Sequence, residues 1–112
     1  VNIFEVIRMI VSTTNEIQGR KIKSVIGIVQ GNTIRAKWFG KDILSGLRQI
    51  IGGELKEYTE MMHEAREQAY NRMVEDAKKQ GADAIICMRF GTSSVMQSAA
   101  EVMAYGTAIK LE

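Results

Sequence analysis

The spacing of apolar positions divides the chain into strands and helices. Residues 10–14 read as a short strand, and residues 15–19 as a turn or loop. Residues 22–30 are rich in Ile and Val, and both alternating sets carry apolar side chains, the pattern of a strand covered on both faces. Gly31-Asn32 is a turn signal, after which residues 33–36 can continue the sheet. The period then changes. Ile43, Leu44, Leu47, Ile50 and Ile51 recur at helical spacing over residues 41–51, with Gly52-Gly53 as the stop. A longer helix is predicted over residues 54–80. Its stripe is Leu55, Tyr58, Met62, Ala65, Ala69, Met73 and Ala77, at steps of three and four, and Gly81 is its cap. Residues 84–90 form an apolar strand. Residues 91–94 read as a loop or a strand end, and residues 100–111 close the chain as a strand. Small Ala104, Gly106 and Ala108 share one face of it, where another element can approach closely.

Helices grouped between strand pairs predict an α+β two-layer sandwich, with two helices on one face of a largely antiparallel sheet. The strands carry apolar residues on both faces, and two helices cover only one. The other face therefore calls for a partner, which predicts a homo-oligomer.

Composition narrows the class. With 112 residues the chain is one domain, and a net charge of +2 is too small to make nucleic acid or an anionic membrane its main partner. The single cysteine, Cys87, excludes an intramolecular disulfide and fits a reducing cytoplasm. No apolar run approaches the roughly 20 residues that span a bilayer. Met9 looks like a natural start, so residues 1–8 read as an N-terminal extension to a domain of residues 9–112.

Several segments together resemble the YbjQ family of small bacterial and archaeal proteins. They are residues 9–14, Gly52-Gly53 with Tyr58, Ala65-Arg66, residues 81–85, Arg89-Phe90 and residues 101–108. That family is labelled heavy-metal-binding and is otherwise of unknown function. The resemblance implies a dodecin-like subunit, a ring-shaped homopentamer and a metal ion as ligand. It brings no catalytic residues. Relatives often carry an acid just after the position of Phe90, where this chain has Gly91, so a cation site built on that carboxylate is weakened.

The candidate chemistry is sparse. A soft-metal site needs clustered thiolate and imidazole. The chain offers one histidine, His63, and one cysteine, Cys87, which with Glu101 make the candidate ligand set. Their bland readings are a solvated histidine beside the helix stripe and a small hydrophobe in an apolar strand. Trp38 and Phe39, beside Gly40, can stack on a planar ligand such as a flavin, or else cap the core. Arg66 falls close to the centre of the long helix's apolar stripe. It is expected to form a buried or interfacial ion pair with Asp42, Asp83 or Glu101, with anion binding as the alternative. The hydroxyls of residues 12–14 and 92–94 have no triad logic with the lone histidine, so the chain reads as non-enzymatic. The basic run Arg20-Lys21-Ile22-Lys23 lacks interleaved aromatics and reads as a solvated strand entrance rather than a nucleic-acid site.

Overall fold

The computed structural model describes residues 9–36, 50–51, 54–96 and 99–112, without the side chains of residues 50–51 and 54–57. The strands are β1 (Ile10–Val11), β2 (Ile22–Ala36), β3 (Ile50–Ile51), β4 (Glu54–Leu55), β5 (Ala84–Met96) and β6 (Ala99–Leu111). The helix α1 (Lys56–Lys79) lies between β4 and β5. Four strands form one mixed sheet in the order β1-β5-β6-β2; β1 runs parallel to β5, and the other two pairings are antiparallel. β3 and β4 form a separate antiparallel pair. The expected α+β architecture is present, with one helix among the described residues rather than two. Most of the helix expected over residues 41–51 lies outside those residues. Its last two positions, Ile50 and Ile51, are strand, and so is the start expected for the long helix at Glu54–Leu55.

α1 follows its stripe. Ala65, Ala69, Met73 and Ala77 are completely buried against the sheet. The helix ends where Gly81 takes a φ of 77°. There the Gly81 amide donates to the Lys78 carbonyl at 3.0 Å, and the Ala82 amide to the Ala77 carbonyl at 3.0 Å. This double bond pattern satisfies carbonyls that the last turn leaves free, and only glycine takes that φ without strain. Lys78 and Lys79 in the last turn favourably face the negative end of the helix dipole.

Two strands run further than their local sequence signals suggest. β2 continues through Gly31-Asn32 without a turn, pairing Gly31 with Ala104 and Asn32 with Met103. Gly31 lies directly beneath the helix. A Cβ built there would sit 2.3 Å from the Ala69 carbonyl oxygen and from the Met73 amide nitrogen. The glycine is present for helix approach, not for a turn. Gly106 plays a related part on β6, where a Cβ would sit 2.6 Å from Ile85 Cγ2. β5 likewise passes through the Gly91-Thr92-Ser93-Ser94 run, which pairs with residues 100–103 of β6.

The flank of α1 closes over β2, an edge strand. Arg72 Nη1 donates to the Asn32 carbonyl at 2.6 Å, and Asp76 Oδ2 accepts from the Gln30 amide at 3.3 Å. Side chains thereby occupy part of the ladder that an edge strand leaves open. Below them, Thr33 Oγ1 donates to Gln68 Oε1 at 2.7 Å, and Arg35 Nη2 donates to the same oxygen at 3.2 Å. Thr33 is the buried polar residue in the described part of the core, and this bond satisfies it.

Among the described residues α1 covers one face of the sheet, and the opposite face is helix-free. On the opposite face Val25, Ile28 and Ile34 of β2 are 64%, 76% and 58% exposed.

Candidate functional site

A bulge in β5 shapes the most distinctive cleft. Ile86 pairs with Thr107 and Arg89 with Tyr105, so Cys87 and Met88 together oppose the single residue Gly106. Cys87 absorbs the extra length with a φ of 55°, a left-handed conformation that costs a non-glycine residue energy. The segment that follows β1 holds the distortion from its other side. The Cys87 amide donates to the Thr14 carbonyl at 2.9 Å, and the Met88 amide to the Ser12 carbonyl at 3.0 Å. Arg89 Nη1 adds bonds to the Thr13 and Met88 carbonyls at 2.9 and 2.8 Å.

The bulge changes which residues face the helix. Ile85 faces α1 before it; after it, Phe90 pairs with Ala104 on the helix side, and Arg89 points the other way. Without the inserted residue, strand alternation would send Phe90 to the helix-free face. Phe90 instead closes a cleft of about 450 Å³ against α1, whose wall is His63, Arg66, Glu67, Tyr70 and Asn71. A volume of that size is within the usual range for small-molecule sites.

Within the cleft, His63 Nε2 lies 3.6 Å from Glu67 Oε1, one helical turn apart and both well exposed. Such a pair contributes little to stability. Arg66 is half-buried, and its guanidinium makes no hydrogen bond or ion pair among the described residues. Two of its three expected partners are engaged elsewhere. Asp83 Oδ2 accepts from the Leu111 amide at 2.9 Å beyond the helix C-terminus. Glu101 Oε2 accepts from Asn32 Nδ2 at 3.3 Å on the helix-free face. Asp42, the third candidate, lies outside the described residues.

The proposed metal ligands are not brought together in one chain. His63 is on the outer flank of α1 and Glu101 on the opposite side of the sheet. Cys87 is half-buried at the bulge, packed beside Ala84, Ile86, Ile109 and Leu111. Among the described residues no three His, Cys, Asp or Glu side chains are grouped as a metal site. A heavy-metal ion therefore does not fit the donors that the described residues of one chain offer. Titration of metal-free protein with zinc or copper(I) should give weak, unsaturating heats at micromolar protein. Tight stoichiometric binding, abolished by both His63→Ala and Cys87→Ser, would reverse that expectation.

Trp38 and Phe39 lie outside the described residues, so the stacking site expected of them is not placed. Sequence reading singled out Arg66 but missed Tyr70, Asn71 and Phe90 as its neighbours. Tyr70 stands one turn beyond Arg66 and was detectable from helical spacing. The position of Phe90 depends on a bulge that no local signal marks. The Ser12 and Thr14 hydroxyls are engaged with each other and with the loop backbone, where Thr14 donates to the Glu16 carbonyl. No helix of the described residues is long and apolar enough to cross a membrane.

These features define an α+β domain whose described residues place one helix on a mixed sheet, with a small-molecule-sized cleft between helix and strand. The chain belongs to the YbjQ family: residues 9–112 match the family model described as "Putative heavy-metal-binding". Its relatives include a UPF0145 protein of Dehalococcoides mccartyi, 60% identical over 104 residues, covering 93% of this chain and 100% of the relative. A UPF0145 protein of Methanosarcina acetivorans is 58% identical over 103 residues, covering 92% and 97%. The fold is also that of a crystal structure from Pediococcus pentosaceus, a protein of unknown function in the DUF74 family. The TM-score is 0.67 at 19% identity, covering 93% of this chain and 98% of that one.

Proposed function

We propose that this protein is a non-enzymatic binding protein that works as a homo-oligomer, with the helix-free face of the sheet as its self-association surface. The observation that carries this reading is the apolar stripe on that face. Ile28, Tyr105, Met103 and Ile34 run diagonally across β2 and β6, because Thr107 stands opposite Ile28, Gln30 opposite Tyr105, Asn32 opposite Met103, and Glu101 opposite Ile34. Diagonal neighbours on one sheet face lie within reach of long and aromatic side chains. A contiguous apolar stripe left in water is unfavourable, and burial against a second copy removes it.

The YbjQ resemblance, with the dodecin-like subunit it implies, makes a closed pentamer the expected assembly, and a cytoplasmic setting accords with the single cysteine. The non-enzymatic reading rests on the engaged Ser12 and Thr14 hydroxyls and on the pairing of His63 with Glu67 rather than with a nucleophile. The family's heavy-metal description enters through a symmetric assembly, in which His63, Cys87 or Glu101 would be repeated between subunits. Sedimentation equilibrium at low micromolar concentration should show several subunits per particle. A folded monomer of 12.5 kDa would overturn the proposal.

A further inference from the structure

We propose that the cleft between α1 and β5 binds a small planar aryl carboxylate, with the carboxylate on Arg66 and the aromatic body against Phe90. The cleft's lining residues belong to one chain and lie on the helix side of the sheet, so the site does not rest on self-association through the other face.

Arg66 supplies the first argument. Arg35 contacts Gln68 and Glu64, Arg72 binds the Asn32 carbonyl, and Arg89 binds the Thr13 and Met88 carbonyls. Arg66 is half-buried at the cleft wall without such a partner among the described residues. A guanidinium partly withdrawn from water gains from a carboxylate that takes two parallel N–H bonds.

Phe90 supplies the second. The β5 bulge, with its left-handed Cys87, places this ring on the helix side, yet it remains 45% exposed. A ring brought to the helix side but left uncovered presents an aromatic surface to the cleft. With Tyr70 on the facing wall, that surface suits a flat, apolar body.

Charge sets the class of anion. Glu67 Oε1 lies 3.6 Å from His63 Nε2 and makes no ion pair with Arg66, so Arg66 is the cleft-wall guanidinium without a carboxylate partner among the described residues. One negative charge matches it. A phosphate dianion would bring a second negative charge close to Glu67 and be disfavoured. Asn71, on the same wall, offers an amide to a ring substituent. The cleft of about 450 Å³ accommodates one or two fused rings.

The probe is 2-naphthoate, with the neutral isostere 2-naphthamide as its control, followed by equilibrium dialysis and ligand-observed NMR on the intact assembly. Naphthoate should bind saturably and the amide at least tenfold more weakly. Arg66→Met should lose at least tenfold for naphthoate while leaving the amide unchanged, and Phe90→Ala should weaken both. The comparison of acid with amide on the unmodified protein stands even if a variant fails to fold. Absent saturable binding of naphthoate, or equal binding of acid and amide, overturns the proposal. If naphthoate fails to bind and Arg66→Met also lowers the sedimenting mass, Arg66 faces a carboxylate of a second copy instead. The proposal is then wrong, whereas a monomeric wild-type protein that binds naphthoate would sink only the self-association reading.

Discussion

Gly31→Ala should destabilise the protein by about 3 kcal/mol or more, the upper range for forcing atoms into a packed core. The added methyl would sit 2.3 Å from two backbone atoms of α1 and 2.6 Å from Arg72 Cβ. Backbone atoms cannot rotate away as a side-chain tip can, so the helix must lift from β2. Lifting it withdraws Ala69 and Met73 from the core and stretches the Arg72 and Asp76 contacts to the strand edge. Gly31 is not among the glycines with a left-handed φ, so the cost is steric rather than conformational. Gly91→Ala is the matched control on the same sheet. Its nearest atom would be Tyr105 Cε1 at 3.9 Å, an ordinary contact. That variant should be neutral or slightly stabilising, since glycine weakens a strand interior. Urea midpoints at a fixed protomer concentration give the comparison. Equal midpoints for Gly31→Ala and wild type would mean that helix and strand are not packed as described.

Gly31 also shows where the sequence misleads. Gly-Asn between apolar runs is a strong turn signal, and the residues following it look like a second strand. The glycine is required by Ala69 and Met73 of α1, far along the chain, a contact invisible to any local window. The Gly91-Thr92-Ser93-Ser94 run misleads for the same reason. Its polar, small residues suit a loop, yet pairing with β6 holds them extended. α1 was legible because its signal is repeated: Ala65, Ala69, Met73 and Ala77 all vote for one face, and all four are buried. The Gly81 cap was legible because its chemistry is local. The site was half legible. Arg66 stands out as a cation near an apolar stripe, but helical angle alone did not show that it sits at a cleft wall away from Asp83 and Glu101. Phe90 needed the bulge at Cys87, and a one-residue slip in strand parity leaves no mark in composition or period.

The largest effect on assembly is expected from placing charge on the helix-free face. The double variant Ile28→Glu, Ile34→Glu should remain folded and sediment as a monomer. In the isolated subunit both side chains are mostly exposed, at 76% and 58%, so the core does not depend on them. The pair of carboxylates should leave helix content unchanged, and glutamate keeps the strand's backbone pairing with Thr107 and Glu101. The change acts at every contact that this face makes between copies. It removes apolar burial of about 1.5–3 kcal/mol per isoleucine, and it places carboxylates where water is excluded. Glu101, opposite Ile34, adds a like charge directly across the ladder. A loss of about 4 kcal/mol per contact corresponds to roughly a thousandfold weaker association, enough to move a micromolar assembly to monomer. Lys78→Glu, on the exposed helix surface, is the control and should leave the assembly intact. Circular dichroism and sedimentation velocity on the same samples separate dissociation from unfolding. A double variant that keeps the wild-type sedimentation coefficient would place the contact elsewhere, and the apolar stripe would then not be the self-association surface.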